Sequence, residues 1–316
     1  MPKSRFKKIV VVTKKTALQE LVERFGTRAQ AKFYLEHMEV PFDEVEAEHA
    51  EYMSALETLK AGMPQLPRHQ FIDRSFLPNF LFGDDDFVVS VGPDGLVVNI
   101  AKYLANQPIF AVNPDRERVD GILLPFEPWE FEDYMGALLG ERFRVKRITM
   151  ARAELNDGQL LYGFNDLFIG HRSHVSARYR IEFGNRAENH ISSGIIISTG
   201  AGSTGWLKSV VKGSLAIARE VMQVDGLPMH KDMTFDWSSD DLYFMVREPF
   251  ESKISDANIV FGRIEPGCYL SVMSHMSENG VIFSDGVEGD FMNFNMGAIA
   301  SIGVAEKKAH LIVRIG

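Results

Sequence analysis

The sequence predicts an α/β domain followed by a β-rich domain, and three observations carry that prediction. Over roughly the first 125 residues, short apolar runs alternate with segments of helical periodicity, the pattern of a parallel sheet with crossover helices. Beyond residue 143 the pattern becomes a succession of short strand-like runs, interrupted by a single helical stretch. Each half also carries one glycine-bearing turn set between an apolar strand and a helix. The expected boundaries are 1–126 for the α/β domain and 127–305 for the β-rich domain, with 306–316 a terminal strand that returns to the first domain.

In chain order, residues 7–13, KKIVVVT, read as a buried strand. Amphipathic segments at 18–25, 28–38 and 45–61 read as helices, the last with Met53, Leu56 and Leu59 on one side. Residues 62–82 hold three prolines and little periodicity, so an irregular connection is expected there. Residues 87–91 form a second buried strand, 96–104 a helix and 108–113 a third strand. Residues 127–142 read as a helix with Pro128 in its first turn. Strands are then expected at 143–155, 160–169, 178–183, 194–199, 242–248, 259–264, 269–275, 280–284 and 298–304, and a helix at 205–224. The run 178–183 alternates cleanly, with Tyr179, Ile181 and Phe183 on one face and Arg178, Arg180 and Glu182 on the other.

Bulk properties narrow the function. A net charge of −9 leaves no excess of Lys and Arg to displace counterions, which argues against a general nucleic-acid binder. The one cysteine, Cys268, excludes an intramolecular disulfide and a multi-cysteine zinc site, and a cytoplasmic, reducing compartment is expected. The start, MPKSRFKKIVVV, is basic and then apolar over only four residues, too short for a signal-peptide core or a membrane span. No membrane partner is expected.

Residues 86–101, DFVVSVGPDGLVVNIA, are the stretch around which the first half is organised. A strand that ends in Gly92-Pro93-Asp94-Gly95 and passes into a helix offers free backbone N–H groups to an anion. Asp94 sits inside that turn. A carboxylate beside phosphate oxygens needs a metal or a proton transfer to account for it, which hints at phosphoryl chemistry. An ordinary Pro-Asp-Gly turn is the competing interpretation.

Residues 192–206, SSGIIISTGAGSTGW, repeat this grammar. Glycines let a ligand approach the backbone, and the hydroxyls of Thr199, Ser203 and Thr204 can donate to phosphate or ribose oxygens. The stretch is neither a Walker loop nor a Gly-x-Gly-x-x-Gly fingerprint, and Ala201 breaks the Gly-x-Ser-x-Gly elbow. A tight turn with Ser203 or Thr204 as N-cap is the alternative. Two such turns in one chain favour a ligand in an inter-domain cleft. Asn165-Asp166 lies between them and reads equally well as a turn. His171 and His174 fall on opposite faces of a strand with no interleaved carboxylate, which argues against a metal. Trp206 is either core or a platform for a base, and Asp285-Gly286 reads as a turn.

As an ordered set, Gly92-Pro93-Asp94-Gly95, Asn165-Asp166 and Thr199-Gly200-Ala201-Gly202-Ser203-Thr204 resemble the Gly-Gly-Asp-Gly, Asn-Glu and Thr-x-x-Gly-Ser-Thr motifs of the NAD kinase family. The likeness is nearer its mitochondrial-type branch. It draws also on VNPDRERVDG (112–121), NDLFIGHRSHVSARY (165–179), REPF (247–250) and SDGVEGDFMNFNMGAIAS (284–301), and spans about residues 7–305. The resemblance implies a Rossmann-like parallel α/β domain with a C-terminal β-sandwich-like domain, a homodimer, and phosphorylation of the adenosine 2′-hydroxyl of NAD by ATP with Mg2+. It assigns Asp94 to that hydroxyl. Asn165 and Asp166 would hold the ribose. Ser193, Thr199, Gly202, Ser203, Thr204 and Trp206 would line the dinucleotide site, and Gly92, Gly95, Lys14 and Asn113 the phosphate donor. Four departures stand out: Pro93 for glycine, Leu96 for threonine, Asp166 for glutamate, and Ser193 for an aspartate found in many members. Pro93 and Leu96 both strike the donor loop and motivate a rival reading, a non-catalytic NAD(P)-binding homologue. A lipid or sugar kinase on a related fold is a further rival, disfavoured by the Asn-Asp and Gly-Ser-Thr segments.

Overall fold

A computed structural model describes residues 6–63, 68–139, 142–223 and 233–314. It divides into two units, Met1–Lys146 with His310–Gly316, and Arg147–Ala309. The expected helix ends at 140–142 and 224, the connection at 64–67 and the strand end at 315 lie wholly or partly outside the described residues.

The first unit is built on a parallel sheet. Strands β1 (Lys8–Thr13), β2 (His69–Asp73), β3 (Asp86–Val91) and β4 (Pro108–Val112) lie in the order β2-β1-β3-β4, all paired parallel. β3 and β4 are buried along their whole length, as a sheet covered on both faces requires. Helices α1 (Ala17–Phe25), α2 (Arg28–His37), α3 (Phe42–Ala61), α4 (Asp94–Tyr103) and α5 (Glu130–Leu139) complete the unit. Thr16 starts α1 with a capping box closed by Gln19. Tyr52, Leu56 and Leu59 of α3 and Phe131 and Met135 of α5 share one core with Val89, Val91, Phe110 and Val112. That packing moves residues 127–146 from the expected second domain into the first unit. The connection expected to be irregular contains β2 and a 3-10 turn, Arg74–Asn79. β2, HQFID, buries only Ile72, so this edge strand shows no apolar run.

The second unit holds two antiparallel sheets. One contains β5 (Arg144–Leu155), β6 (Leu160–Gly163), β8 (Ala177–Phe183), β9 (Arg186–Ser192), β13 (Leu270–Ser274) and the first part of β16 (Ile299–Val313). The other runs β12-β11-β10-β7-β14-β15, with β7 (Asp166–His171), β10 (Ile195–Ser198), β11 (Leu242–Val246), β12 (Phe261–Ile264), β14 (Gly280–Ser284) and β15 (Val287–Asn293). Tyr179, Ile181 and Val272 from the first sheet pack with Ile195, Ile197, Phe244 and Ile282 from the second, which makes a sandwich core. Helix α6 (Trp206–Met222) follows β10. The strand expected at 160–169 is broken at Phe164-Asn165, and its halves, β6 and β7, belong to different sheets. β9 and β15 were not expected, because RAENHIS and VEGDFMN lack clean apolar alternation. The run expected at 298–304 continues as β16 to Val313, and its His310 and Leu311 pair parallel with β4 in the first unit.

Candidate functional site

In the first unit, the loop after β3 is held from below by one tyrosine. The Tyr52 hydroxyl donates to the Val91 carbonyl at 2.9 Å and accepts the Lys14 backbone N–H at 3.0 Å. It thereby ties the ends of β1 and β3 together, and burial pushes its pKa up to about 12. Pro93 caps α4 in an extended conformation, so its missing N–H falls where helix donors are unpaired in any case. Leu96, at 3% exposure, is a core residue whose N–H bonds the Pro93 carbonyl at 2.8 Å. Asp94 opens α4, and its Oδ1 accepts the Leu123 N–H at 2.6 Å. Lys14 Nζ is 3.1 Å from Glu48 Oε1. Gly92 is buried beside the Lys14 side chain, and Gly95 is exposed with open space where a side chain would stand.

Asn113 is buried and spent on its own loop. Its Oδ1 accepts the Asp115 N–H at 3.0 Å and its Nδ2 donates to the Val119 carbonyl at 3.1 Å. A cavity of about 530 Å³ lies between this loop, the small-residue face of α3 (Ala47, Ala50, Ser54) and Trp129. Glu51, Arg116 and Glu127 also line it.

In the second unit, the strand break at Phe164-Asn165 is the centre of the site. The Asp285 carboxylate accepts three successive N–H groups: Phe164 at 3.0 Å on Oδ2, and Asn165 at 2.6 Å and Asp166 at 3.1 Å on Oδ1. Its own N–H returns to the Asp166 carbonyl at 2.9 Å, with φ of 57°. Residues 164–166 are thus a nest of donors filled by a carboxylate. Asp-Gly after the apolar run VIFS reads in sequence as a turn, and the turn is there, with Asp285 and Gly286 both left-handed; nothing in the sequence marks its carboxylate as the acceptor for residues 164–166.

The 199–206 turn packs onto that break. Thr199 donates through Oγ1 to the Phe164 carbonyl at 2.6 Å and through its N–H to the Asn165 carbonyl at 2.9 Å. Ser203 Oγ donates to the Gly200 carbonyl at 2.7 Å and accepts the Phe235 N–H at 3.2 Å. Both hydroxyls are fully buried, so they build the turn, whereas Thr204 is exposed and bonds the Ala201 carbonyl at 3.3 Å. Gly202 permits the approach, since a Cβ there would lie 2.2 Å from the Asn165 carbonyl oxygen and 2.8 Å from Asp166 Oδ1.

Asp166 is the unusual group. It keeps some surface as a residue, but its Oδ1 reaches no solvent and has no hydrogen-bond partner among the described residues. Burial pushes its pKa up to about 7; the hydrogen bond with Ser198 opposes that shift, and the nearby Asp285 charge adds to it. The structure therefore brings Asn165, Asp166, Thr199, Gly202 and Ser203 together with Asp285. Ser193 and Trp206 lie in a separate cleft of the same unit, with Phe168 and Arg247. His171 and His174 line that cleft as well, and His171 Nδ1 is engaged by Ser173. Among the described residues, no three His, Cys, Asp or Glu side chains converge to hold a metal ion, and no helix is long and apolar enough to cross a membrane.

No family model matches the chain. A probable NADH kinase from Oryza sativa subsp. japonica is 26% identical over 227 residues, 64% of this chain and 63% of that protein. The chain spans less than two thirds of the length of the curated relatives it matches first. The structure of yeast NADH kinase complexed with NADH superposes with a TM-score of 0.62 at 12% identity, over 100% of this chain and 88% of the other. That of an NAD kinase from Archaeoglobus fulgidus in complex with ATP gives 0.54 at 17% identity, over 96% and 92%.

Proposed function

We propose that this chain, which resembles NAD and NADH kinases in sequence and has their fold, is itself a kinase that phosphorylates the adenosine 2′-hydroxyl of NAD or NADH. In that step the hydroxyl oxygen bonds the γ-phosphorus of ATP, the bond from that phosphorus to the β-phosphate breaks, and ADP leaves. Asp94 takes the hydroxyl proton. Its carboxylate is fixed at the head of α4 by the Leu123 N–H, which leaves Oδ2 for the substrate. Magnesium enters with the triphosphate substrate, whose charge it offsets.

The observation that supports this reading is the packing of the 199–206 turn on the strand break at Asn165-Asp166, which sets two partly exposed polar residues at the head of a buried strand where a ribose can hydrogen-bond them. Asn165 and Asp166 accordingly hold the sugar, and Gly202 lets the 199–206 turn pack directly against them. Thr199 and Ser203 serve by shaping the turn, and Thr204 and the exposed Gly95 are left to face ligand. Lys14, at the end of β1, lies with Gly92 on the donor side, its charge balanced by Glu48 until a phosphate arrives. A cytoplasmic homodimer completes the reading.

The test is direct. Purified protein with ATP, magnesium and NAD yields NADP in an NADP-specific cycling assay. Asp94→Asn lowers that yield at least about a hundredfold, as loss of a general base does, while NAD binding by calorimetry persists. NADP formation by the variant at the wild-type rate, or none by the wild type, overturns the reading.

A further inference from the structure

Strand β2 is the outermost strand of the first unit's parallel sheet. It pairs with β1 in an unbroken register from His69 to Asp73, and among the described residues no strand lies on its other side. In a parallel pair, alternate residues aim both backbone groups at the neighbouring strand. The Ile9 N–H bonds the Arg68 carbonyl at 3.1 Å, and the Thr13 hydroxyl donates to the Ile72 carbonyl at 3.2 Å. Arg68, Gln70 and Ile72 therefore face β1, while His69, Phe71 and Asp73 direct their N–H groups away from it. The His69 and Phe71 carbonyls point the same way. Asp73 ends the strand and caps the 3-10 turn that follows, its Oδ1 accepting the Ser75 N–H at 3.0 Å.

A bare strand edge is a template for another chain, and proteins shield it with charge, proline, glycine or a covering loop. β9, β12 and β15 show such protection. The outer side of β9 is covered by residues 250–256, where the Phe250 N–H bonds the Ile191 carbonyl at 2.8 Å and the Asp256 N–H bonds the Asn189 carbonyl at 2.9 Å. β12 carries Gly262 and Arg263, and β15 carries Gly289 and Asp290. β2, HQFID, has no lysine, proline, glycine or bulge. Its Phe71 packs partly against the core of the unit, under Lys60 Nζ at 5.3 Å. Phe76, in the turn directly after β2, and Leu81 are 62% and 92% exposed, apolar surface that the single chain leaves uncovered.

The strand is complementary to itself when two copies run antiparallel about Phe71. Each Phe71 then exchanges N–H and carbonyl with its counterpart, and each Asp73 N–H meets the opposite His69 carbonyl. The same register sets Phe71 beside Phe71 and His69 opposite Asp73 on one face, an aromatic pair flanked by two pairs of opposite charge when the imidazole is protonated. Ser75 occupies Asp73 Oδ1, which leaves Oδ2 for the opposite imidazole. We propose that β2 is the interface of a two-fold dimer of this chain, in which the edge strands pair about Phe71 and join two parallel sheets into one. This pairing gives a face to the homodimer named above and rests on none of the kinase chemistry. A monomeric kinase overturns the pairing alone, and a dimer that forms no NADP overturns only the chemistry.

Sedimentation of the full chain measures the association, and hydrogen exchange locates it. So short a pairing buries little surface, so a dissociation constant of about 1–50 µM is expected. Amide protection in residues 68–74 should rise with protein concentration across that range. Phe71→Glu opposes two carboxylates at the two-fold axis, while Lys60 compensates the new charge within one copy, and should weaken the dimer at least about tenfold. His69→Asp sets like charges opposite each other on both sides of the axis and should weaken it about as much. Adding Asp73→Asn, which keeps a residue able to cap the turn, should recover most of that loss. Circular dichroism verifies that the variants are folded. A chain that stays monomeric at about 100 µM, a dimer whose 68–74 amides gain no protection, or one that neither Phe71→Glu nor His69→Asp weakens overturns the proposal, as does a His69→Asp loss that Asp73→Asn leaves in place. Protection at 68–74 that appears in a monomer only with an unrelated strand-forming peptide assigns the edge to a foreign segment and overturns pairing with a second copy.

Discussion

Asparagine at position 166 is expected to remove a pH dependence of stability that the native aspartate imposes. The Asp166 carboxyl titrates at about 7 in the folded chain against 3.8 for the ordinary group, chiefly because it is buried. A carboxyl whose pKa is raised on folding favours the folded state while it is protonated. That contribution is complete below about pH 4 and is lost as pH rises through about 7. From about pH 5 to about pH 8 the wild type should lose roughly 3 kcal/mol from this group alone, near two units at 1.36 kcal/mol each. Asp166→Asn keeps the shape and cannot titrate, so the loss is absent from the variant, which becomes the more stable protein on the alkaline side. Urea unfolding of both proteins across this range gives the difference in free energy at each pH, and titrating groups that do not interact with Asp166 cancel in it. The reasoning is refuted if that difference stays flat, or if the variant loses stability relative to the wild type as pH rises.

Other perturbations follow from the same geometry. Asp285→Ala strands three backbone N–H groups at the break before β7 and should cost about 3 kcal/mol or more, read as a lowered urea midpoint; because its charge raises the pKa of Asp166, the alkaline loss described above should also shrink. Gly202→Ala places a methyl carbon 2.2 Å from the Asn165 carbonyl oxygen, so it should abolish NAD binding by calorimetry even where circular dichroism finds the chain folded. Tyr52→Phe breaks the tie between β1 and β3 and should cost about 1–2 kcal/mol, with a fall in the rate of NADP formation larger than any change in the Michaelis constant for NAD.

What the sequence disclosed, and what it withheld, follows from which residues carry apolar signal. β1, β3, β4 and β10 are fully or nearly fully buried, and their Val and Ile runs announce them. β2, β9 and β15 escaped because polar strands lack a period that distinguishes them from loops. The break between β6 and β7 escaped for a different reason. The segment LLYGFNDLFIGH is continuously strand-like, and what interrupts it is Asp285, more than a hundred residues away. The motif positions were legible, but their roles were less so. Thr199 and Ser203 looked like ligand donors and are instead bonded to backbone carbonyls, since a hydroxyl in a tight turn meets those carbonyls first. Leu96 and Pro93, which stood out as departures in a donor loop, have ordinary places in the core and at a helix start.

β16 is one unbroken strand whose first residues belong to the second unit and whose last belong to the first. The edge of β4 is therefore completed by amino acids that follow the whole sandwich in sequence. During synthesis the amino-terminal sheet must wait, one hydrogen-bonded neighbour short, while the sandwich encoded behind it is made. A nascent chain stalled before residue 310 should expose that waiting edge to chaperones or proteases, and synthesis through β16 should close it.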